Sequence, residues 1–144
     1  MTKLYYLLAL SFLFSCKSQP NPTNKNKEKI DEVCNQIMRD FKKQDIGHAM
    51  NLLKANSRLI GDSNINNLEK QIHQQIADGV FSQYGECLSY EFVAEKKINN
   101  FAAKRYYVLR YKFFFLKFAF SLYDTEPKWT ITGFKYDQDG SDLF

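Results

Sequence analysis

The sequence predicts an α+β domain in which N-terminal helices pack on a curved, four-stranded antiparallel sheet. Two observations carry this. Apolar residues recur at three- and four-residue steps through the first half of the chain, the period of one helical face. In the second half the chemistry changes: once residues 1–15 are set aside, 18 of the remaining 19 aromatic residues lie between Phe81 and Phe144, with only Phe41 outside. Aromatic and β-branched side chains suit a pleated, half-buried surface, so that half reads as sheet.

The helices follow in order. Ile30, Val33, Cys34, Ile37, Met38 and Phe41 form the stripe of the first. A shorter second helix starts near Asp45, buries Ile46, Ala49, Met50, Leu52 and Leu53, and stops before Asn56 and Ser57. The third begins after Asp62 or Ser63, whose side chains can accept from the open amides of a first turn, and carries Ile65, Leu68, Ile72 and Ile76 to Gly79 or Gly85.

Four strands come next. Leu88, Tyr90, Phe92 and Ala94 alternate with Ser89, Glu91, Val93 and Glu95, which assigns both glutamates to the outer face. Beyond the turn at Asn99 and Asn100, Tyr107, Leu109, Tyr111 and Phe113 point inward while Lys104, Arg110 and Lys112 meet water. Leu116, Phe118, Phe120 and Leu122 define a third strand, and Trp129 opens a fourth. Residues 113–116 carry no turn residue, so a hairpin there competes with one long bent strand. In the last strand Trp129 and Ile131 share one face and Phe134 and Tyr136 the other, and Gly133 marks a bulge that would reset the alternation.

At the N-terminus, Lys3 precedes an uncharged apolar run over residues 4–14, shorter than the roughly 17–25 residues that span a bilayer. The run ends Leu13-Phe14-Ser15-Cys16, which resembles the lipobox of bacterial lipoproteins, although Phe14 stands where a small residue is usual. The resemblance implies a signal peptide over residues 1–15, lipidation of Cys16, and a place in the bacterial cell envelope at a membrane and face the sequence leaves open. Acyl chains at about 0.8 kcal/mol per buried CH₂ would make that attachment durable. Residues 16–27, rich in Asn, Lys, Ser and Pro, read as a flexible tether, and residues 28–144 as a single domain large enough for one core. The chain carries 20 basic and 16 acidic side chains, a net charge of +4 that drops to +3 without Lys3 and singles out no class of partner.

The stretch from Gly85 and Glu86 into the Tyr90 strand, the run Arg105-Tyr106-Tyr107-Val108-Leu109-Arg110-Tyr111, the strand over residues 118–123, and Trp129-Thr130-Ile131-Thr132-Gly133-Phe134 together resemble the cystatin-like or NTF2-like group, especially its small bacterial lipoproteins. The resemblance covers residues 28–137. It implies an apolar pocket inside a cone of helices and sheet, lined here by Tyr90, Phe92, Tyr107, Phe118 and Trp129, and pairing through the open sheet face.

No catalytic motif stands out. His48 and His73 lie on separate helices outside any H-E-x-x-H arrangement, and no phosphate loop, nucleophile elbow or C-x-x-C occurs. The acidic run Asp137, Asp139 and Asp142 places Gly140 at the wrong loop position for calcium, so no metal and no cofactor is expected. Asp78, Glu86 or Glu91 could serve as a general base only if turned into a dry pocket. Lys96, Lys97, Lys104, Arg105, Arg110, Lys112 and Lys117 interleave with aromatics as in nucleic-acid binders, but an exported chain meets little nucleic acid, and a lysine-guarded sheet face accounts for them. Cys34 and Cys87 could pair as a disulfide in an oxidising envelope if their α-carbons approach within about 7 Å. Phe114 and Phe115 cannot both be buried by one strand and mark a partner surface. The expectation is a lipid-anchored interaction module without a catalytic site, acting through the sheet face or as a homodimer. Its competitors are a small-ligand carrier or enzyme using the cone interior, and an immunity lipoprotein that occludes a toxin.

Overall fold

A computed structural model describes residues 22–143, so the signal segment and Cys16 lie outside the described residues. Three helices, α1 (Pro22–Lys42), α2 (Ile46–Asn56) and α3 (Asp62–Ala77), precede a single antiparallel sheet of β1 (Cys87–Ile98), β2 (Ala102–Tyr111), β3 (Phe115–Asp124) and β4 (Trp129–Asp137) in the order β1-β2-β3-β4. The architecture is α+β with helices covering one face of the sheet, as the two halves of the sequence require.

Helix α1 begins at Pro22, six residues before the domain boundary expected from composition. Proline suits a first helical position because its missing N–H would have no partner there. The polar first turns hold because their side chains find tertiary partners: Asn26 donates to the Pro127 carbonyl, and Lys27 is buried against the sheet. At its other end α1 closes with Gln44 at φ 60°, which lets the Gln44 and Asp45 amides bond back to Phe41 and Asp40 at 3.0 and 2.9 Å. Helix α3 ends the same way at Gly79, with Gly79 and Val80 donating to Ile76 and Gln75. Its start differs from expectation: Gly61 is the N-cap and no side chain, neither Asp62 nor Ser63, caps it.

Ile30, Cys34, Ile37, Met38 and Phe41 from α1 meet Met50 and Leu53 from α2, Ile65 and Ile72 from α3, and Leu109, Leu116, Phe118, Phe120 and Ile131 from the sheet. Gly133 does mark a bulge. The β3–β4 register steps between Ser121 and Leu122, so that Trp129, Ile131, Phe134 and Tyr136 all contribute to the helix-side core. A Cβ on Gly133 would lie 3.2 Å from Ser121 Oγ. Strand β1, at the sheet edge, carries two further irregularities, at Leu88 and at Val93.

The hairpin alternative holds at residues 111–115: Tyr111 N bonds the Phe114 carbonyl at 2.8 Å, closing a turn over Lys112 and Phe113. No turn-forming residue sits there. The two central amides instead donate to the Glu86 and Tyr84 carbonyls at 3.0 Å each, so a neighbouring segment supplies what local sequence lacks.

Candidate functional site

Two features at opposite ends of the sheet, and one pair on the helices, carry polar or exposed chemistry. The first begins with the irregularity at Val93. It shifts the β1 register by one residue, so Ala94 faces Tyr106 on the outer side and Glu95 pairs with Arg105 on the helix side. The outward, solvated Glu95 expected from strict alternation is therefore corrected: a one-residue slip moves every later side chain to the other face. Glu91, before the shift, stays outside and exposed.

Turned inward, Glu95 accepts from Lys27 Nζ at 2.7 Å and from Arg105 Nη1 at 2.7 Å, and Arg105 also lies 2.9 Å from Asp31, which pairs with Lys27. Arg105 Nε donates to the Tyr107 hydroxyl at 3.1 Å, and that hydroxyl donates to Asn35 Oδ1 at 2.7 Å. The side chains of Lys27, Arg105 and Glu95 retain only 11%, 11% and 12% of their exposure. Burial alone would raise the Glu95 carboxyl, but the hydrogen bonds from Lys27 and Arg105 outweigh it and hold its pKa below the usual value. Phe92 covers the cluster, its ring 4.5 Å from the Arg105 guanidinium carbon, with 49% of its own surface exposed. Lys27 and Arg105 meet Asp31 and Glu95 here, with the exposed Lys97 reaching the outer Glu95 oxygen at 3.4 Å, which ties α1 to β1 and β2.

The second feature is the β2–β3 turn. Phe113 is 70% exposed, Phe114 is 37% exposed and stacks between Tyr84 at 5.1 Å and Phe115 at 5.8 Å, and Tyr84 meets Tyr111 edge-on at 5.6 Å. Of the expected pair, Phe114 and Phe115 are thus partly spent on each other, and Phe113 is the side chain left open. Sequence alternation assigned Phe113 inward; the turn falling at that residue instead sends it out. Beside it runs an open groove of about 440 Å³ bounded by Gln75, Phe81, Tyr84, Tyr136 and Gln138.

On the helices, the Asp40 carboxylate is buried, accepts from Gln36 Nε2 at 2.8 Å and lies 2.7 Å from His48 Nδ1. A carboxylate orienting an imidazole is half of a general-base arrangement. No nucleophile stands beside His48 among the described contacts, and the pair links α1 to α2.

Of the five residues expected to line a pocket, Tyr107 and Phe118 are fully buried core, Trp129 is buried, Tyr90 reaches the Arg39 guanidinium at 3.4 Å and Phe92 caps the charge cluster. No described cavity is bounded by more than one of them. The interior space beside Phe118 measures about 10 Å³, at most one water. Cys34 and Cys87 are both free thiols, so the pairing that an oxidising envelope could allow is not formed here. Cys87 lies near Lys42, eight residues and about 12 Å along α1 from Cys34 at 1.5 Å per residue. Burial pushes the Cys34 thiol up to about 12, which makes it inert. Among the described residues no three His, Cys, Asp or Glu side chains come together as a metal site, and no helix is long and apolar enough to cross a membrane.

Comparison with protein families, with curated proteins and with solved structures found no match.

Proposed function

We propose that this chain is a lipid-anchored interaction module of a bacterial envelope, held by Cys16, that binds a protein partner or a second copy of itself through the aromatic tip at the β2–β3 turn. The observation that carries this reading is Phe113, 70% exposed next to an aromatic group in which Phe114 stacks between Tyr84 and Phe115. Leaving such a ring in water forgoes roughly 1.5–3 kcal/mol of burial, which a partner would recover. The tip moves the expected contact from the open sheet face to its end, because on that face Lys96 and Lys104 lie over the Tyr106 ring at 5.4 and 5.5 Å. A filled interior weighs against a carrier or enzyme that would use the cone interior.

Native mass spectrometry of the protein extracted from its own envelope tests the proposal. The expected spectrum shows an assembly heavier than one chain, reduced to single chains by Phe113→Ser with Phe114→Ser. A single chain that releases a small molecule on denaturation would overturn the proposal in favour of a carrier.

A further inference from the structure

At the pole opposite the aromatic tip, the start of α1, the β1–β2 turn and the β3–β4 turn converge: Asn26 donates to the Pro127 carbonyl, the Asp124 amide to the Phe101 carbonyl at 2.8 Å, and Asn26, Asn100, Phe101, Glu126 and Pro127 line one shallow depression. Ile98 is 64% exposed there, and Phe101 and Tyr123 are each 44% exposed and meet edge-on at 5.9 Å. The same three segments carry the exposed Lys25, Lys29, Lys97 and Lys128, of which Lys97 also reaches Glu95 at 3.4 Å, against Glu28, Asp124 and Glu126, and the first turn of α1 contains no acid, so the partial positive charge of the helix start adds to the lysines. Exposed aliphatic and aromatic side chains on segments that also carry lysines are the composition that lies in a headgroup layer.

We infer that this pole rests on the lipid surface itself, with Ile98, Phe101 and Tyr123 in the headgroup region and the lysines on lipid phosphates. The inference rests on the proposed lipid attachment at Cys16. Because α1 begins at Pro22, only six residue steps separate it from Cys16, and at roughly 3.3–3.6 Å per residue the chain reaches about 20 Å at most, whatever its conformation. Attachment therefore keeps the start of α1, and with it both turns, next to the membrane. Anionic headgroups complement the lysines, which outnumber the acids of these segments by one.

Two single-tryptophan reporters test this in the full lipidated protein, since Trp129 is the only tryptophan. In a Trp129→Phe background, Phe101→Trp places the indole at the near pole and Phe113→Trp at the far tip, with circular dichroism checking that each variant folds. Each is placed in vesicles of phosphatidylcholine and phosphatidylglycerol, with and without bromine on the acyl chains just below the carbonyls. The Phe101→Trp reporter loses about half its emission to bromine, as an aromatic at headgroup depth must, and the Phe113→Trp reporter keeps its emission. An unquenched Phe101→Trp, or equal quenching at both ends, in protein whose intact mass shows acyl chains on Cys16, overturns the orientation while leaving the anchor in place. An intact mass without acyl chains removes the anchor and the orientation together.

Discussion

Replacing Glu95 by Gln perturbs the charge cluster with the least change of shape. Wild type places one carboxylate oxygen 2.7 Å from both Lys27 Nζ and Arg105 Nη1, with all three side chains about nine-tenths withdrawn from water. Breaking a fully buried ion pair costs about 3–5 kcal/mol, because the surviving charge stays desolvated. Three features reduce that here: Asp31 remains to meet both cations, the amide oxygen still accepts one hydrogen bond, and the cluster borders solvent beside the exposed Lys97. The expected loss is about 2 kcal/mol at neutral pH, a fall of about 1 M in the urea midpoint at a slope typical of a domain this size. Its pH dependence identifies the cause. The folded pKa of Glu95 lies below its ordinary 4.5, so its contribution is complete above about that pH and disappears as pH falls through the depressed value. The gap between wild type and Glu95→Gln, measured by urea titration of Trp129 fluorescence, should stay constant above pH 5.5 and close on acidification, because a protonated glutamate resembles glutamine. A gap that is absent at pH 7, or that persists undiminished at pH 3, would refute the reasoning.

Three other substitutions or reactions probe separate parts of the fold. Gly85→Ala forces a side chain onto φ 80° with its Cβ 3.0 Å from both Lys112 Cβ and Phe113 Cδ2, and should lower the thermal midpoint by roughly 8 °C for a cost of about 2 kcal/mol, whereas Gly79→Ala, which meets open space, should lose only about half as much. Equal midpoints for the two would show that the Gly85 contacts carry nothing. Iodoacetamide at pH 8 should modify Cys87 before Cys34, and Cys34 only after urea is added, with intact mass as the readout; similar rates in the folded protein would contradict the burial of Cys34. His48→Ala leaves the buried Asp40 carboxylate with Gln36 alone and should cost about 1 kcal/mol, and that loss should disappear in an Asp40→Asn background if the pair is its source.

The helices were legible because each buries one stripe against a sheet that needs no detail to be inferred, and the stripe residues of α1, α2 and α3 all belong to the core, with Val33, Leu52, Leu68 and Ile76 half-buried at its margin. Irregularities divide by whether a residue announces them. Gly133 does, and the bulge beside it follows from the clash of two half-strand alternations. Val93 does not: a β-branched residue in the middle of an alternating run looks like ordinary strand, and the slip there reversed Glu95 from solvated ornament to the centre of the charge cluster. A signal did exist. Extending strict alternation left Ala94 inside and Glu95 outside next to Lys96 and Lys97, whereas Arg105, counted with the charged sheet face, has the same parity as the inward Tyr107, and only a slip lets that acid and base meet. The start of α1 was hidden for the converse reason, since an Asn- and Lys-rich segment has no apolar stripe, and what holds it helical is Lys27 and Asn26 reaching residues 68 and 101 positions away. The turn at Lys112 and Phe113 likewise depends on carbonyls of a distant segment, which local turn chemistry cannot reveal.

The slip at Val93 and the hidden start of α1 bear on each other through the geometry of presentation. The slip at Val93 brings Glu95 to Lys27, and that contact ties α1 near its start to β1 and β2. Had residues 22–27 been flexible, the proposed tether would double in length and the domain could tumble on its anchor. With the helix so tied, the strands set the distance between poles: ten residues of β2 at about 3.3 Å each separate the lysine-bearing turns from the aromatic tip by about 33 Å. On the proposed attachment, Phe113 then stands clear of the headgroups and cannot satisfy its exposed ring by folding down onto lipid. The partner proposed for it would then come from the space above the membrane, and Glu95→Gln, by loosening the start of α1, should weaken that presentation without touching the tip.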